Sequence, residues 1–264
     1  MRFAKYEGLG NDFVLVEAPG TVEPADARRI CDRHFGVGAD GVLLVQRDPP
    51  AMRVLNADGS VAEMCGNGLR CVVWHLARVG ALTPGEEVVV ATDAGPHRCW
   101  LRGEGDVEVE MRAGTLEPRA VPCAVDTPLV EVPFLEHEGG TLHLTAVGMG
   151  NPHAVTFDPV GEVRKVLGPR IQADPRFPEG VNVGFARPVA DGFELDVLER
   201  GSGWTLACGT GACATVVAAV ATGRAVAGEP VAVRLPGGTL AITVLDEATR
   251  MRGPARHVFE GELP

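Results

Sequence analysis

The chain has 264 residues, 45% apolar and 22% charged, with 24 basic against 35 acidic residues and a net charge of −11. That size and composition allow one large domain or two modest ones, each able to bury a core. The acidic balance excludes nucleic acid as a partner, because phosphate binding needs a positive surface, although a local cationic pocket for a small acid remains open.

In chain order, M-R-F-A-K-Y, from Met1 to Tyr6, reads as an opening strand without the apolar run of a secretory leader, so a cytoplasmic location is expected. The turn G-L-G-N, from Gly8 to Asn11, leads to a second strand, Asp12 to Val16, and a helix is expected from Pro24 to Arg33. A strand from Gly41 to Val45 is followed by the turn N-A-D-G-S, from Asn56 to Ser60, a helix from Gly66 to Val79 and a strand from Glu87 to Thr92. The stretch V-E-V-E-M, from Val107 to Met111, alternates apolar and polar residues, as a half-buried strand does. The run A-G-T-L-E-P, from Ala113 to Pro118, then breaks the strand pattern, which sets domains of 1–114 and 115–251. The second half carries a strand from Thr141 to Val147, a short helix near Gly161 to Leu167, a strand from Phe193 to Val197, a helix from Gly209 to Thr222, and strands from Val231 to Leu235 and from Leu240 to Val244. The most apolar tract, Ala207 to Thr222, is too short to span a bilayer and stops at Gly223 and Arg224, so no membrane partner is expected.

The two halves repeat. G-L-G-N-D-F at Gly8 resembles G-M-G-N-P-H at Gly148, M-C-G-N-G-L-R-C at Met64 resembles A-C-G-T-G-A-C-A at Ala207, and G-V-G at Gly36 resembles G-V-N at Gly180, at offsets of 140, 143 and 144 residues. Each match is short, but three in one order at a nearly constant offset indicate a duplicated unit with two like sites.

Seven cysteines, an odd number with no C-x-x-C, fit neither a disulfide scaffold nor a structural zinc site, and no two histidines have metal-ligand spacing. A free cysteine is usually a small buried hydrophobe, which is the default for Cys31, Cys71, Cys99, Cys123 and Cys213. Cys65 and Cys208 differ: each precedes G-x-G and then a helical run. Glycine there permits close backbone approach, and the first turn of a helix offers unpaired N–H groups and partial positive charge. Such a start suits a carboxylate and is expected to lower a thiol's pKa. Two such thiols, one per half, suit inversion of a carbon centre: one removes a proton and the other delivers one. Only Lys5 and Lys165 are present as lysines, and neither has the setting of a Schiff-base lysine, so no cofactor is expected.

Polar residues around these turns fit a cage for an amino acid: Asn11 and Asn151 in the G-x-G-N turns, Asn56, Asn182, and the pair Glu199–Arg200 just before the second thiol. An arginine holds a carboxylate bidentately and a glutamate holds an ammonium group. Taken singly, each asparagine is better explained as a turn residue. His153, two residues after Asn151, is a candidate for orienting or tuning a thiol.

These motifs, with D-R-H-F-G-V-G-A-D-G at Asp32, V-N-V-G-F at Val181, E-R-G-S-G at Glu199 and L-P-G-G at Leu235, run from end to end of the chain. Together they make it resemble the diaminopimelate epimerases. The resemblance implies an α/β (α+β) fold of two pseudo-symmetric domains, each a mixed sheet or barrel wrapped around a central helix, with a final strand, 252–264, returning to the first domain. It implies cofactor-free interconversion of LL- and meso-diaminopimelate in lysine and peptidoglycan precursor biosynthesis, and a homodimer. It implies Cys65 and Cys208 as the acid–base pair, assisted by His153 and Glu199. Asn11, Asn56, Asn151, Asn182, Glu199 and Arg200 are implied to line the site, and Gly66, Asn67, Gly209 and Thr210 to contact the α-carboxylate.

Two positions depart from the family pattern: Gly41, where some members carry Gln, and Trp204, where many carry Glu. A proline racemase relative would share C-G-x-G but is expected to lack G-N-P-H and E-R-G-x-G, both present here. A thiol redox or metal-binding protein is a rival of another class, weakened by the missing C-x-x-C and the scattered histidines.

Overall fold

A computed structural model of the chain describes residues 1–62 and 64–263. It divides into two compact units, Met1–Glu110 with Arg252–Pro264, and Met111–Met251.

The first unit begins with a hairpin of β1 (Arg2–Gly8) and β2 (Asn11–Glu17), antiparallel, with Gly8 opposite Asn11. Gly10 closes its turn at φ +81°, a conformation that favours glycine. Helix α1 (Pro24–Cys31) is the crossover to β3 (Gly41–Arg47), which lies parallel to β2. Antiparallel β4 (Pro50–Asn56) carries the two-residue β5 (Val61–Ala62) on its end. Helix α2 (Gly66–Arg78) crosses to β6 (Glu87–Thr92), parallel to β4, and β7 (Gly95–Gly103) and β8 (Asp106–Arg112) follow as a meander.

The second unit repeats this order. After β9 (Val132–His137), hairpin β10 (Gly140–Gly148)–β11 (Pro152–Thr156) turns through Gly150 at φ +94°. A 3-10 turn at Gly161–Val163 and helix α3 (Arg164–Gln172) cross to β12 (Asn182–Val189), parallel to β11. Antiparallel β13 (Gly192–Glu199) carries the two-residue β14 (Gly203–Trp204). Helix α4 (Gly209–Ala221) crosses to β15 (Val231–Leu235), parallel to β13, and β16 (Gly238–Val244) and β17 (Ala248–Pro254) complete the run. The last strand, β18 (Arg256–Glu262), pairs antiparallel with β1. The fold is mixed α+β, mostly sheet with few helices, and the duplication inferred from three short motifs extends to strand order and direction.

In each unit the sheet closes on its 13-residue helix. α2 packs on β1, β2, β3, β4, β7 and β18, and α4 on β10, β11, β12 and β16. Helix α4 is made of Gly, Ala, Val, Thr and Cys, side chains small enough for strands to approach from several sides. Its Thr215 returns its hydroxyl to Gly211 O at 2.9 Å, so a buried polar group is paired within the helix.

The expected helix Pro24–Arg33 stops at Cys31, because Asp32 Oδ1 accepts from the backbone N–H groups of His34 and Phe35 and draws the chain into a turn. The helix expected near Gly161–Leu167 starts later and runs to Gln172 through Pro169. Gly41 has a local reason: a Cβ there would lie 2.7 Å from the Leu55 carbonyl oxygen. Trp204 packs against Phe185, ring centroids 5.9 Å apart.

The turn after α1 presents Asp40, and Gly36 permits it: a Cβ at this position would lie 2.1 Å from Arg29 O and 2.7 Å from Ile30 O. Both obstacles are backbone, so no rotamer change relieves them. Gly36→Ala is expected to cost about 1–3 kcal/mol or more and to lower the melting temperature; an unchanged melting temperature contradicts this packing.

Candidate active site

Cys65 and Cys208 occupy the same structural position in the two units. Each is the N-cap of its 13-residue helix in extended backbone, φ −136° and ψ 113° for Cys65, φ −125° and ψ 103° for Cys208, and the helix begins at the following glycine. Extended backbone at an N-cap turns the side chain back over the open first turn. The two caps are completed differently. Cys208 Sγ accepts from Gly211 N at 3.3 Å, and a Cβ at Gly211 would lie 3.1 Å from that sulfur. Cys65 makes no such cap bond; its sulfur lies 3.8 Å from Asn11 Oδ1.

In the first unit, Asn11, Cys65, Gly66 and Asn67 come together. Asn67 Nδ2 donates to Asn11 Oδ1 at 3.1 Å, and Asn11 Nδ2 donates to Asp40 Oδ2 at 2.7 Å. Asn56 lies opposite Gly41 across the β3–β4 pair, and its amide donates to Ser60 Oγ at 2.9 Å within its own turn.

In the second unit, Cys208, Thr210, Asn151 and His153 form a chain. Cys208 Sγ lies 3.7 Å from Thr210 Oγ1, Asn151 Nδ2 donates to Thr210 Oγ1 at 3.3 Å, and His153 Nε2 lies 3.0 Å from Asn151 Oδ1. With the Asn151 oxygen turned to the ring, Nε2 carries the imidazole proton and donates. His153 is 1% exposed. Burial, with Arg200 adding to it, lowers its pKa to about 3, so the ring is neutral at physiological pH.

Asn182 is buried and bridges two elements: its amide donates to Pro152 O at 3.0 Å and its oxygen accepts from the Arg200 backbone N–H at 2.9 Å. The Arg200 guanidinium donates to Glu179 O at 2.7 Å, which ties it to the loop before β12. The Glu199 carboxylate is near enough to the Cys208 thiol to raise its pKa, and accepts from Thr205 Oγ1 at 2.5 Å. Thr205 escaped the sequence reading. Its only signal was a hydroxyl placed just beyond a tight E-R-G-S-G turn that folds it back onto Glu199.

One expectation is corrected for Cys208. A helix start was expected to favour its thiolate, yet its pKa is raised. Burial is the largest cause, the Glu199 carboxylate adds to it, and the bonds from Thr210 and Gly211 only partly offset them. Cys208 is 4% exposed, and loss of hydration outweighs the field of one helix turn. The resting group is a thiol.

The neutral His153 makes stability depend on pH. Folding holds its pKa below the ordinary value of 6.5, so its contribution is complete above pH 6.5 and is lost as pH falls from there toward 3. The loss amounts to about 1.4 kcal/mol for each pH unit in that window. His153→Gln keeps an N–H donor for Asn151 and removes the titration. Thermal melts between pH 7 and 4 are expected to fall less steeply for the variant than for the parent; parallel curves contradict the buried neutral ring.

A family model described as diaminopimelate epimerase matches residues 3–118 and 145–258 of the chain. The chain is 41% identical to diaminopimelate epimerase 1 of a Nostoc species, over 100% of this chain and 99% of that protein. It is 44% identical to the diaminopimelate epimerase of Thioalkalivibrio sulfidiphilus, again over 100% of this chain and 99% of the relative. Among solved structures, a probable proline racemase from Agrobacterium radiobacter superposes with a TM-score of 0.69 at 17% identity, covering 100% of this chain and 92% of that one, a likeness of fold. With the family model covering most of its length and full-length relatives at these identities, the chain belongs to the diaminopimelate epimerase family.

Proposed function

We propose that the protein interconverts LL- and meso-2,6-diaminopimelate without a cofactor, with Cys65 and Cys208 as the two acid–base groups. The observation that carries this reading is the repeated device: in a member of this family, each unit starts a buried 13-residue helix at a cysteine in matching backbone geometry, followed at once by glycine.

The chemistry follows from what those starts supply. An amino acid Cα–H is very weakly acidic, so its removal requires stabilisation of the charge that develops on the carboxylate. Each helix N-terminus contributes about 0.3–2 kcal/mol toward an anion, more where water is excluded. Gly66 and Asn67 on one helix, and Gly209 and Thr210 on the other, would meet the carboxylate. One thiolate takes the proton from one face, the other thiol delivers a proton to the opposite face, and the two exchange roles in the reverse direction.

Cys208, a thiol at rest, begins as the proton donor; to act as base it first passes its proton to Glu199, whose carboxylate is held by Thr205. His153, neutral and donating to Asn151, acts here by holding Asn151 and Thr210 beside the sulfur. Asn11, Asn56, Asn151, Asn182, Glu199 and Arg200 would line the site and select the distal amino acid end. Lysine chemistry has no part in the reading: Lys5 is paired with Asp12 at 2.6 Å, and Lys165 lies on an exposed helix face with Glu162.

The reading also places the enzyme in the cytoplasm, as a homodimer acting on a free amino acid in lysine and peptidoglycan precursor biosynthesis. Among the described residues no helix is long and apolar enough to cross a membrane. Light scattering on the purified enzyme is expected to give twice the chain mass, and a monomer mass removes the dimer.

Cys65→Ala and Cys208→Ala are each expected to lower the rate of epimerisation of LL-diaminopimelate by about 10²–10⁴-fold, the usual worth of a positioned acid or base. Either variant turning over near the parent rate defeats the two-thiol mechanism.

A further inference from the structure

Beside Cys65 runs a hydrogen-bond chain whose direction is set at both ends by charge. At one end, Asp40 Oδ2 accepts from Asn11 Nδ2 at 2.7 Å and from the Asp12 backbone N–H at 3.1 Å. A carboxylate only accepts, so Asn11 must turn its amide nitrogen to Asp40 and its oxygen away. At the other end, Arg70 Nη2 donates to Asn67 Oδ1 at 3.1 Å. A guanidinium only donates, so Asn67 must turn its own amide nitrogen outward, where it meets Asn11 Oδ1 at 3.1 Å. The two constraints agree on one oxygen, and that oxygen lies 3.8 Å from the Cys65 sulfur and accepts from it.

Both ends are themselves anchored. Arg70 is wholly buried and also bonds the carbonyls of Gly66 and Pro254, at 3.5 and 3.3 Å. Asp40 Oδ1 accepts from Arg33 at 2.8 Å; Arg33 also bonds Asp12, and Asp12 is paired with the buried Lys5.

We infer that Asp40 and Arg70 are positioning residues for Cys65, locking the amides of Asn11 and Asn67 in the one orientation that aims the Asn11 carbonyl oxygen at the thiol. The inference rests on the reading of Cys65 as an acid–base group. An oxygen facing the sulfur accepts the S–H and disfavours thiolate, whereas a reversed amide presents N–H and favours it. In the direction in which Cys65 is the acid, the lock keeps the proton on the sulfur until Cα takes it, and the thiolate that this delivery leaves behind is the stronger base toward Cα–H in the other direction.

The test is a double-mutant cycle on the full-length enzyme: parent, Asp40→Ala, Asn11→Ala and the double variant. The rate of iodoacetamide alkylation of Cys65 at pH 7 is followed by peptide mass spectrometry, with thermal melts to verify folding. Each single variant is expected to raise the Cys65 rate by about three- to tenfold, as a thiolate fraction freed by about half to one pH unit does. The double variant is expected to be no faster than Asn11→Ala. A parent-like rate for Asp40→Ala, or a double variant showing the product of both single factors, overturns the inference, since Asp40 would then act otherwise than through Asn11. If Asp40→Ala does not fold, Asp40→Asn replaces it in the same cycle, with the same non-additivity expected. Epimerisation by the same proteins is a separate arm, with kcat expected to fall more than KM changes. An inactive parent would sink the functional reading, and the alkylation cycle would still decide the positioning role.

Discussion

A cysteine at the N-cap of a buried helix has little freedom. Its backbone must be extended to let the chain enter the helix, and the next residues must be small for strands to pack around the first turn. The chain meets this constraint twice, at Cys65 and Cys208, with backbone angles that agree closely. Much of each unit serves that placement. The turns through Gly10 and Gly150 bring an asparagine beside each helix start, and each helix makes the crossover between two parallel strands and packs on the strands of its unit. A thiol held this way needs no loop to order it, and its surroundings are set by the same strands that form the core.

The two copies have nonetheless diverged in how they treat the thiol. Cys208 is buried, capped by the Gly211 N–H and faced by Glu199, so its proton is held firmly and its release depends on the neighbouring carboxylate. Cys65 is more open and faces an amide oxygen whose direction is settled by a carboxylate and a guanidinium farther out. In the proposed reaction the groups must be nearly matched, because each serves as acid in one direction and base in the other. The two thiols sit in different environments, and for Cys208 burial and the Glu199 carboxylate oppose ionisation. A simple helix-dipole picture, in which both thiols are acidified, is not what the structure of Cys208 supports.

The duplication was legible in the sequence because glycine and asparagine were repeated where left-handed backbone is needed, at Gly10 and Gly150, and because C-G-x-G marks both helix starts. Helices α1, α2 and α4 were legible because proline or glycine opens each of them, whereas α3 begins at Arg164 with neither and runs through Pro169, so its bounds were not. Strands β4 and β11 were not, since each opens with a proline and reads as loop; their pairing is decided by the neighbouring strands. The electrostatics of the sites were least visible. Whether a helix start or burial governs Cys208 depends on how deeply it lies, and Asp40, Arg70 and Thr205 matter through partners far away in sequence or across a turn.

The central claim is that two thiols exchange a proton at an amino acid α-carbon without a cofactor. Proton NMR of the purified, reduced enzyme with LL-diaminopimelate in D₂O, with proline in parallel, tests it most directly. The account predicts loss of the Cα–H signal as deuterium enters and the meso isomer forms, with proline unchanged. No exchange at Cα of diaminopimelate would contradict it, and exchange on proline alone would keep the chemistry while giving it to a different substrate.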